Sequence, residues 1–309
     1  DHRSGRAEAE PCHNAPFGIR APEAQPQPSF TMTPTAPPAA TNIAWSGKTD
    51  PGRFRDHNED AFLALRFDTR ELQRLGKDGD ARIGDWDYCF AVSDGMGGAN
   101  AGEFASRIAV DKIAELLPRS FSMAASGLHD AALDLLPELY ATINLAMRDM
   151  GEHYEECARM GATLSLCWFG PRRMLFAHIG DSRIYYLPAG GALLQISRDD
   201  NAVWRQMRAG KLNVHQYRAH PERNILEKVL GGGTASAEPQ VGVVEYAPGD
   251  QFLLCSDGVS GTLFDRRLET LLRDPPANLA LLTHSERFVR DAIDEGTRDN
   301  ATAVWVAVD

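Results

Sequence analysis

The order in which strand-like and helix-like patterns follow one another is the feature that most constrains the fold. Residues 61–67 and 86–92 predict strands, and the charged stretch 70–84 between them predicts a loop or a hairpin insertion. Two amphipathic patterns of helical period follow, each with its apolar residues on one face. Their members are Ala105, Ile108, Ala109, Ile113 and Leu116, and then Leu135, Leu139, Ile143, Ala146, Met147 and Met150. Pro137 leaves the start of the second helix open, since it fits either a first turn or a kink.

Beyond Gly161 the pattern changes to strands separated by turn residues. The first three, at 162–169, 174–179 and 183–187, predict consecutive strands of a meander, and two more follow at 241–246 and 252–255. A helical pattern then includes Leu281, Leu282, Phe288, Val289, Ala292 and Ile293, and Ala301–Val308 predicts a last strand. Strands in runs, interrupted by helices, favour an α+β architecture in which helices cover antiparallel sheets.

The first 41 residues differ from the rest of the chain. They are rich in Pro, Ala, Gln and Thr and contain almost no large apolar residues, so they cannot bury enough surface to offset the entropy of ordering. We therefore expect a disordered tail at 1–41 and a folded domain at 42–309. Translation starting at Met32 is a hypothesis that the intact mass of the native protein would test.

Composition narrows the function classes. The net charge of −11 disfavours nucleic-acid binding, which needs a basic surface. The five cysteines form no C-x-x-C pair, so a zinc site is not expected, and three of them have apolar neighbours typical of reduced thiols in the core. No apolar run approaches the roughly 20 residues of a membrane span. These features favour a cytoplasmic protein that binds neither membrane nor nucleic acid.

Acidic residues stand at the ends of the predicted strands. Asp94 and Asp257 directly follow strands, whereas Glu59, Asp60 and Asp299 directly precede them. In an antiparallel sheet the end of one strand lies beside the start of its neighbour, so these carboxylates can gather at one edge. Like charges there would raise one another's pKa unless a cation neutralised them. Oxygen ligands without Cys or His select hard cations such as Mg²⁺ or Mn²⁺.

Glycines follow two of these aspartates, in Asp94-Gly95 and Asp257-Gly258. Taken singly, each pair is more simply read as an ordinary turn, in which Asp and Gly are favoured for local reasons. Two such pairs after apolar strands, together with the other acidic residues, are harder to explain by turns alone. Glycine also lets a backbone carbonyl approach a metal ion.

Eight short motifs in a fixed order resemble the bacterial form of the type 2C (PPM, metal-dependent) serine/threonine phosphatases. They are Thr49-Asp50-Pro51-Gly52, Arg55-Asp56-His57-Asn58-Glu59-Asp60, Asp94-Gly95-Met96-Gly97-Gly98, Met160-Gly161-Ala162-Thr163, Gly180-Asp181-Ser182-Arg183, Ser197-Arg198-Asp199-Asp200, Ser256-Asp257-Gly258 and Asp299-Asn300. Each is weak alone, but the ordered set covers residues 43–309 with the spacing of that family.

The resemblance implies an αββα sandwich of two antiparallel sheets flanked by helix pairs, with two Mn²⁺ or Mg²⁺ ions at the sheet edge. By matching position, Asp94 would bridge the ions and Asp257 and Asp299 would complete one site. Glu59 and the Gly95 carbonyl would complete the other. Asp60 would orient the attacking water, and Arg55 would bind the substrate phosphate through its planar guanidinium.

The activity implied is in-line hydrolysis of phosphoserine or phosphothreonine in proteins by water activated at the two ions, opposing a serine/threonine kinase. Nothing in the sequence requires more than a monomer. Two departures from the family pattern stand out. Ala158 replaces an Asp that many relatives use for a third metal, so we expect that site to be weak or absent. Met96 replaces a His of animal relatives, so an imidazole general acid is missing there.

The segment 200–233 borders the implied cleft and varies across the family. It carries Arg205, Arg208, Lys211, Arg218 and Arg223. A solvated helix and loop is the simpler interpretation of such a charged run. The functional alternative is contact with acidic or phosphorylated substrate segments.

Three other functions are less consistent with the sequence. Cys167 and Arg173 have the C-x5-R spacing of cysteine phosphatases, but Trp168 and Phe169 follow where a phosphate-binding loop needs small residues. A catalytically silent binding module is disfavoured because every implied ligand position carries an oxygen donor. A sigma-factor-regulatory phosphatase of the same fold is usually joined to a sensor domain, and no such domain is recognisable in this sequence.

Overall fold

The computed structural model describes residues 42–68, 70–84, 86–98, 100–124, 131–233 and 237–309. The predicted tail at 1–41 lies outside the described residues. The described chain forms two β-sheets in which neighbouring strands pair antiparallel.

The first sheet contains, in spatial order, β10 (Leu194–Gln195), β9 (Arg183–Leu187), β13 (Gln251–Cys255), β14 (Ala301–Val308), β1 (Asn42–Asp50) and β4 (Asp78–Arg82). The second contains β11 (Leu230–Gly231), β6 (Gly161–Ala162), β5 (Asp87–Met96), β7 (Leu164–Phe169), β8 (Arg173–Ile179) and β12 (Gln240–Glu245). In the second sheet β2 (Asp60–Phe67) also pairs with β5 and with β3 (Leu72–Arg74).

Helices cover the outer face of each sheet. α1 (Asn100–Ala124) and α2 (Ala131–His153) pack on the second sheet, and α6 (Asp265–Arg273) and α7 (His284–Asp294) pack on the first. Two short helices, α3 (Ala202–Arg208) and α4 (Val214–Arg218), lie in the segment 200–233, and α5 (Asp257–Ser260) follows β13. A 3₁₀ turn spans Glu155–Cys157. The αββα sandwich predicted from the sequence is confirmed.

The central strands are buried on both faces, and their successive side chains point alternately to the helices and to the opposite sheet. Between the sheets lies an aromatic core that includes Phe90, Phe169 and Phe252. Phe169 meets Phe252 edge-on, with 5.1 Å between ring centroids. Burying each such side chain contributes about 1.5–3 kcal/mol to folding.

The predicted meander is wrong in its third strand. β7 and β8 pair as neighbours, but β9 pairs with β13 and β10 in the other sheet. The chain changes sheets at Gly180, whose φ of +107° is accessible chiefly to glycine. Turn residues mark where a strand ends, but they do not select the sheet that receives the next strand.

Other boundaries also differ from the prediction. The stretch 70–84 contains a hairpin strand, β3, and also β4, which joins the opposite sheet beside β1. α6 was not predicted. Leu281 is 99% exposed and lies before α7, which begins after the capping box formed by Thr283 and Glu286. Pro137 lies inside α2 rather than in its first turn.

Candidate active site

The site is built around a pair of aspartates on neighbouring strands. Asp60 begins β2 and stands opposite Asp94 of β5 in the strand register. β5 continues to Met96, so the prediction that its strand ends before Asp94 is wrong. An antiparallel partner thus brings together two carboxylates that are 34 positions apart in the sequence.

Thr163 holds the backbone at Asp94 through its hydroxyl and its own backbone N–H. The Asp94 N–H donates to Thr163 Oγ1 at 3.0 Å, and the Asp94 carbonyl accepts from the Thr163 N–H at 2.9 Å. Thr163 Oγ1 also lies 2.8 Å from Ser182 Oγ. The Met160-Gly161-Ala162-Thr163 and Gly180-Asp181-Ser182-Arg183 motifs therefore serve to position Asp94.

Asp257 is the first residue of α5, directly after the N-cap residue Ser256. Ser256 Oγ donates to Asp60 Oδ2 at 2.7 Å and accepts from the Thr302 N–H at 3.0 Å, which links the two sheets at this edge. A Cβ at Gly258 would lie 1.9 Å from the Asn300 carbonyl oxygen. Asp257-Gly258 is therefore a closely packed helix start rather than an ordinary turn.

Asp299 and Arg55 form an ion pair at the mouth of the site. Arg55 Nη2 donates to Asp299 Oδ2 at 2.8 Å, and the Arg55 side chain is 47% exposed. The next residue, Asn300, is buried. It accepts from the Glu59 N–H at 2.8 Å and donates to the carbonyls of Pro51 and His57 at 3.1 and 2.9 Å. Asn300 thus holds the loop that carries Arg55.

Glu59 and the Gly95 carbonyl both lie against Gly102, near the start of α1. A Cβ at Gly102 would be 2.5 Å from Glu59 Oε1 and 2.9 Å from the Gly95 oxygen. A Cβ at Gly95 would in turn be 1.8 Å from the Gly102 carbonyl oxygen. This packing requires glycine at both positions and brings together the two groups assigned to one metal site.

Burial and repulsion by neighbouring carboxylates both raise pKa values in this site. Burial raises the pKa of Asp94 well above its usual range, and the charges of Asp60 and Asp257 add to the effect. Burial also raises the pKa of Asp60 to about 7 and that of Asp257 to about 6, with Asp299 adding to both. The Glu59 pKa is raised as well, again mainly by burial. Each of these groups would be stabilised as a carboxylate by a nearby cation.

The donor set fits a hard divalent cation. Within the described residues, Asp257 Oδ1 is the buried side-chain oxygen that accepts no hydrogen bond. Buried polar atoms are normally paired, so this oxygen is suited to a ligand. Over the same residues, no three acidic, His or Cys groups already form a metal-holding cluster. Ion binding would therefore require the carboxylates to converge further than they do here.

The segment 200–233, which we call the flap, contributes one wall of an open cavity beside Asp257. Arg223 and Asn224 line it from the flap, opposite Asp181 and Gly261. The other flap cations are placed differently: Arg205 pairs with Glu227, Arg208 lies over the Trp204 ring, and Arg218 binds backbone carbonyls. Of the five basic residues, Arg223 is the one that lines this cavity.

Several residues of the site carried no assigned role in the sequence analysis. Thr163, Ser182, Ser256 and Asn300 stand inside the recognised motifs, so their motif membership was the available signal. Asp181 adds to the repulsion that raises the Asp94 pKa. Gly102 stands outside the motifs, and its contact with Glu59 could not be predicted from local sequence.

Cys167 does not lie in a phosphate-binding loop. It is fully buried in β7, opposite Phe90 and Phe176 in the strand register. Burial raises the pKa of its thiol well above the usual range, whereas a nucleophilic cysteine needs a lowered one. The cysteine-phosphatase interpretation is therefore unsupported. Across the described part of the chain, no helix is both long and apolar enough to cross a membrane.

Comparison with known proteins gives consistent matches. The family model described as protein phosphatase 2C matches residues 78–295. The serine/threonine protein phosphatase PstP of Mycobacterium tuberculosis (strain H37Rv) is 30% identical over 85% of this chain, which spans 44% of that relative's length. The serine/threonine phosphatase stp of Listeria monocytogenes (strain EGD-e) is 27% identical over 85% of this chain and 94% of its own.

Solved structures agree with these matches. The crystal structure of M. tuberculosis PstP/Ppp is 29% identical, with a TM-score of 0.67, covering 87% of this chain and 99% of the other. A second structure, of the PstP catalytic domain in complex with two manganese ions, is 28% identical with a TM-score of 0.67 and the same coverage.

Proposed function

The chain belongs to the protein phosphatase 2C family, and on that premise we propose that it is a metal-dependent protein serine/threonine phosphatase. The observation that carries the proposal is the position of Asp60, Asp94, Asp257 and Asp299 at one edge of the two sheets. Burial and neighbouring carboxylates raise the pKa of Asp60, Asp94 and Asp257, and among the described residues Asp257 Oδ1 is a buried oxygen that accepts no hydrogen bond.

Two Mn²⁺ or Mg²⁺ ions are the cofactors that this donor set suits. Asp94 would serve both ions, Asp257 and Asp299 one of them, and Glu59 with the Gly95 carbonyl the other. Bound there, the ions would supply Lewis acidity that activates water near neutral pH and would offset the charge of the phosphoryl group. The exposed Ala158 offers no carboxylate for a third ion, so we propose that a third site is weak or absent.

The protein's own residues then have separate tasks. Arg55, oriented by Asp299, would bind the phosphoryl oxygens of the substrate through its guanidinium. Asp60, held by Ser256, would accept a hydrogen bond from the attacking water and align it opposite the serine or threonine oxygen. Met96 cannot donate a proton, so we propose that the leaving oxygen is protonated from solvent.

The substrates would be proteins phosphorylated by a serine/threonine kinase. The enzyme would act on them in the cytoplasm as a monomer. The position of Arg223 supports a phosphoprotein substrate, because this flap residue lines the cavity next to Asp257, where its charge would attract an acidic or phosphorylated segment. The net charge of −11 gives no support to a nucleic-acid substrate.

The test is hydrolysis of a phosphothreonine peptide with Mn²⁺, with excess chelator, and by Asp94→Asn with Mn²⁺. We expect activity only in the wild-type protein with Mn²⁺. Cys167→Ser is the control and should keep full activity. Activity that survives the chelator would refute the metal-dependent mechanism. A folded wild-type protein that is inactive throughout would instead indicate the silent binding module.

A further inference from the structure

Arg218, the last residue of α4, reaches from the flap to the segment that follows the metal-ligand position Asp257. Its Nη1 donates to the Gly261 carbonyl at 3.0 Å, and its Nη2 donates to the carbonyls of Ser260 and Leu263 at 2.9 and 2.7 Å. The guanidinium also lies over the Phe264 ring, 4.0 Å from its centroid. One side chain therefore binds three backbone carbonyls within residues 260–263 and an aromatic face.

Two of these carbonyls lie at the carboxyl end of α5. The helix spans only Asp257–Ser260, with Gly261 as its C-cap. Carbonyls at a helix end have no partner within the helix and carry partial negative charge, so a cation there stabilises it. Arg218 is thus a C-terminal cap, supplied by the flap, for a single-turn helix whose first residue is Asp257.

The neighbouring residue fixes the other side of α4. Tyr217 is buried, and its hydroxyl donates to Asp199 Oδ2 at 2.6 Å. Asp199 in turn accepts from Arg183 Nε, at 3.0 and 3.2 Å to its two oxygens, and from Arg183 Nη2 at 2.7 Å. Because α4 is anchored to the body of the protein through Tyr217, the Arg218 guanidinium is held in a defined position over α5.

We propose that Arg218 is a positioning residue that couples docking of the flap to metal binding at Asp257. This inference rests on the proposed function, since it takes Asp257 as a metal ligand. When the flap is docked, Arg218 fixes α5 and thereby the direction of the Asp257 carboxylate. Linkage makes the effect reciprocal, so an ion bound at Asp257 also favours the docked flap.

Isothermal titration of the chelator-treated protein with Mn²⁺ tests this without using activity. Residues that orient metal ligands typically change metal affinity by about 10- to 100-fold when removed. We expect a weakening of roughly that size in Arg218→Met, measured at the ion that Asp257→Asn abolishes. Arg205→Met is the matched control, because Arg205 lies on the same flap but pairs with the exposed Glu227. It should leave Mn²⁺ affinity unchanged.

Hydrogen exchange measures the reciprocal effect. In the wild type, Mn²⁺ should slow amide exchange both at 257–263 and at 214–218. In Arg218→Met the protection of 214–218 by Mn²⁺ should be lost. Should Arg218→Met not fold, Arg218→Lys keeps the charge but loses the planar fork, and a smaller loss of affinity is then expected.

The outcomes separate the two proposals. If the wild type binds Mn²⁺ and both Arg218 variants bind it equally well, the coupling is refuted and the phosphatase proposal stands. A purely structural role would lower the melting temperature of Arg218→Met without changing Mn²⁺ affinity, which also refutes the coupling. Absence of Mn²⁺ binding in the folded wild type would refute both.

Discussion

Ser256 Oγ donates a hydrogen bond of 2.7 Å to Asp60 Oδ2, which joins a residue that follows β13 of the first sheet to the start of β2 in the second. Both residues are buried. The hydrogen bond stabilises the charged form of Asp60 and so lowers its pKa, whereas burial raises that pKa. The ionisation and the direction of this carboxylate thus depend on a hydroxyl from the opposite sheet.

Removal of that hydroxyl should impair chemistry more than metal binding. In Ser256→Ala, Asp60 loses its orienting donor, and we expect kcat to fall by roughly 10- to 100-fold. Mn²⁺ affinity should change little, because Asp60 is not among the proposed ligands. Ser260→Ala is the control: this serine is also buried, but its hydroxyl bonds the Ser256 carbonyl at 3.4 Å. Equal kcat values in the two variants would contradict the role given to Ser256.

The metal-free protein should lose stability as pH rises. The pKa values of about 7 for Asp60 and about 6 for Asp257 exceed the value of about 3.9 for Asp in an unfolded chain. Between these values the folded state binds more protons than the unfolded state. The contribution of the two groups to the free energy of unfolding is therefore present at low pH and is lost as pH rises through the folded pKa values. With chelator, we expect Tm to fall as pH rises from about 4 to about 7.

Thermal unfolding at several pH values measures this effect. Mn²⁺ should restore most of the lost stability, because an ion that binds only the folded state stabilises it. Asp257→Asn removes one of the groups and should make the fall shallower. A Tm that rises over the same range in the chelated wild type would show that these carboxylates are not the buried, repelling set described above.

Asn300→Ala should weaken both the fold and the substrate site. Asn300 makes three side-chain bonds to the loop that contains Arg55, each worth about 1 kcal/mol. We expect a lower Tm and an increase in KM for phosphopeptides, because Arg55 loses its support. Asn213→Ala, which removes a cap of α4 in the flap, is the comparison for a lost hydrogen-bonding amide away from that loop. An unchanged KM in Asn300→Ala would contradict the supporting role.

Local sequence selected the carboxylates of the candidate site, whose role as metal ligands stays a prediction. Asp94, Asp257, Asp299 and Glu59 were found from their positions beside apolar strands and from the motif order, because strand period and glycine placement are properties of short segments. The same local signals predicted Ala301–Val308 with its observed bounds. The amphipathic patterns of α1 and α2 likewise predicted two helices, whose apolar faces now cover the second sheet.

Tertiary structure decided what depends on contacts between distant segments. The sequence determined that β9 is a strand, but its sheet depended on the partner that buried its faces. The packing of Glu59 on Gly102, the bond from Ser256 to Asp60 and the reach of Arg218 to α5 join residues far apart in the chain. Such contacts depend on how the two sheets and the flap pack together, and no periodicity within a segment encodes that arrangement.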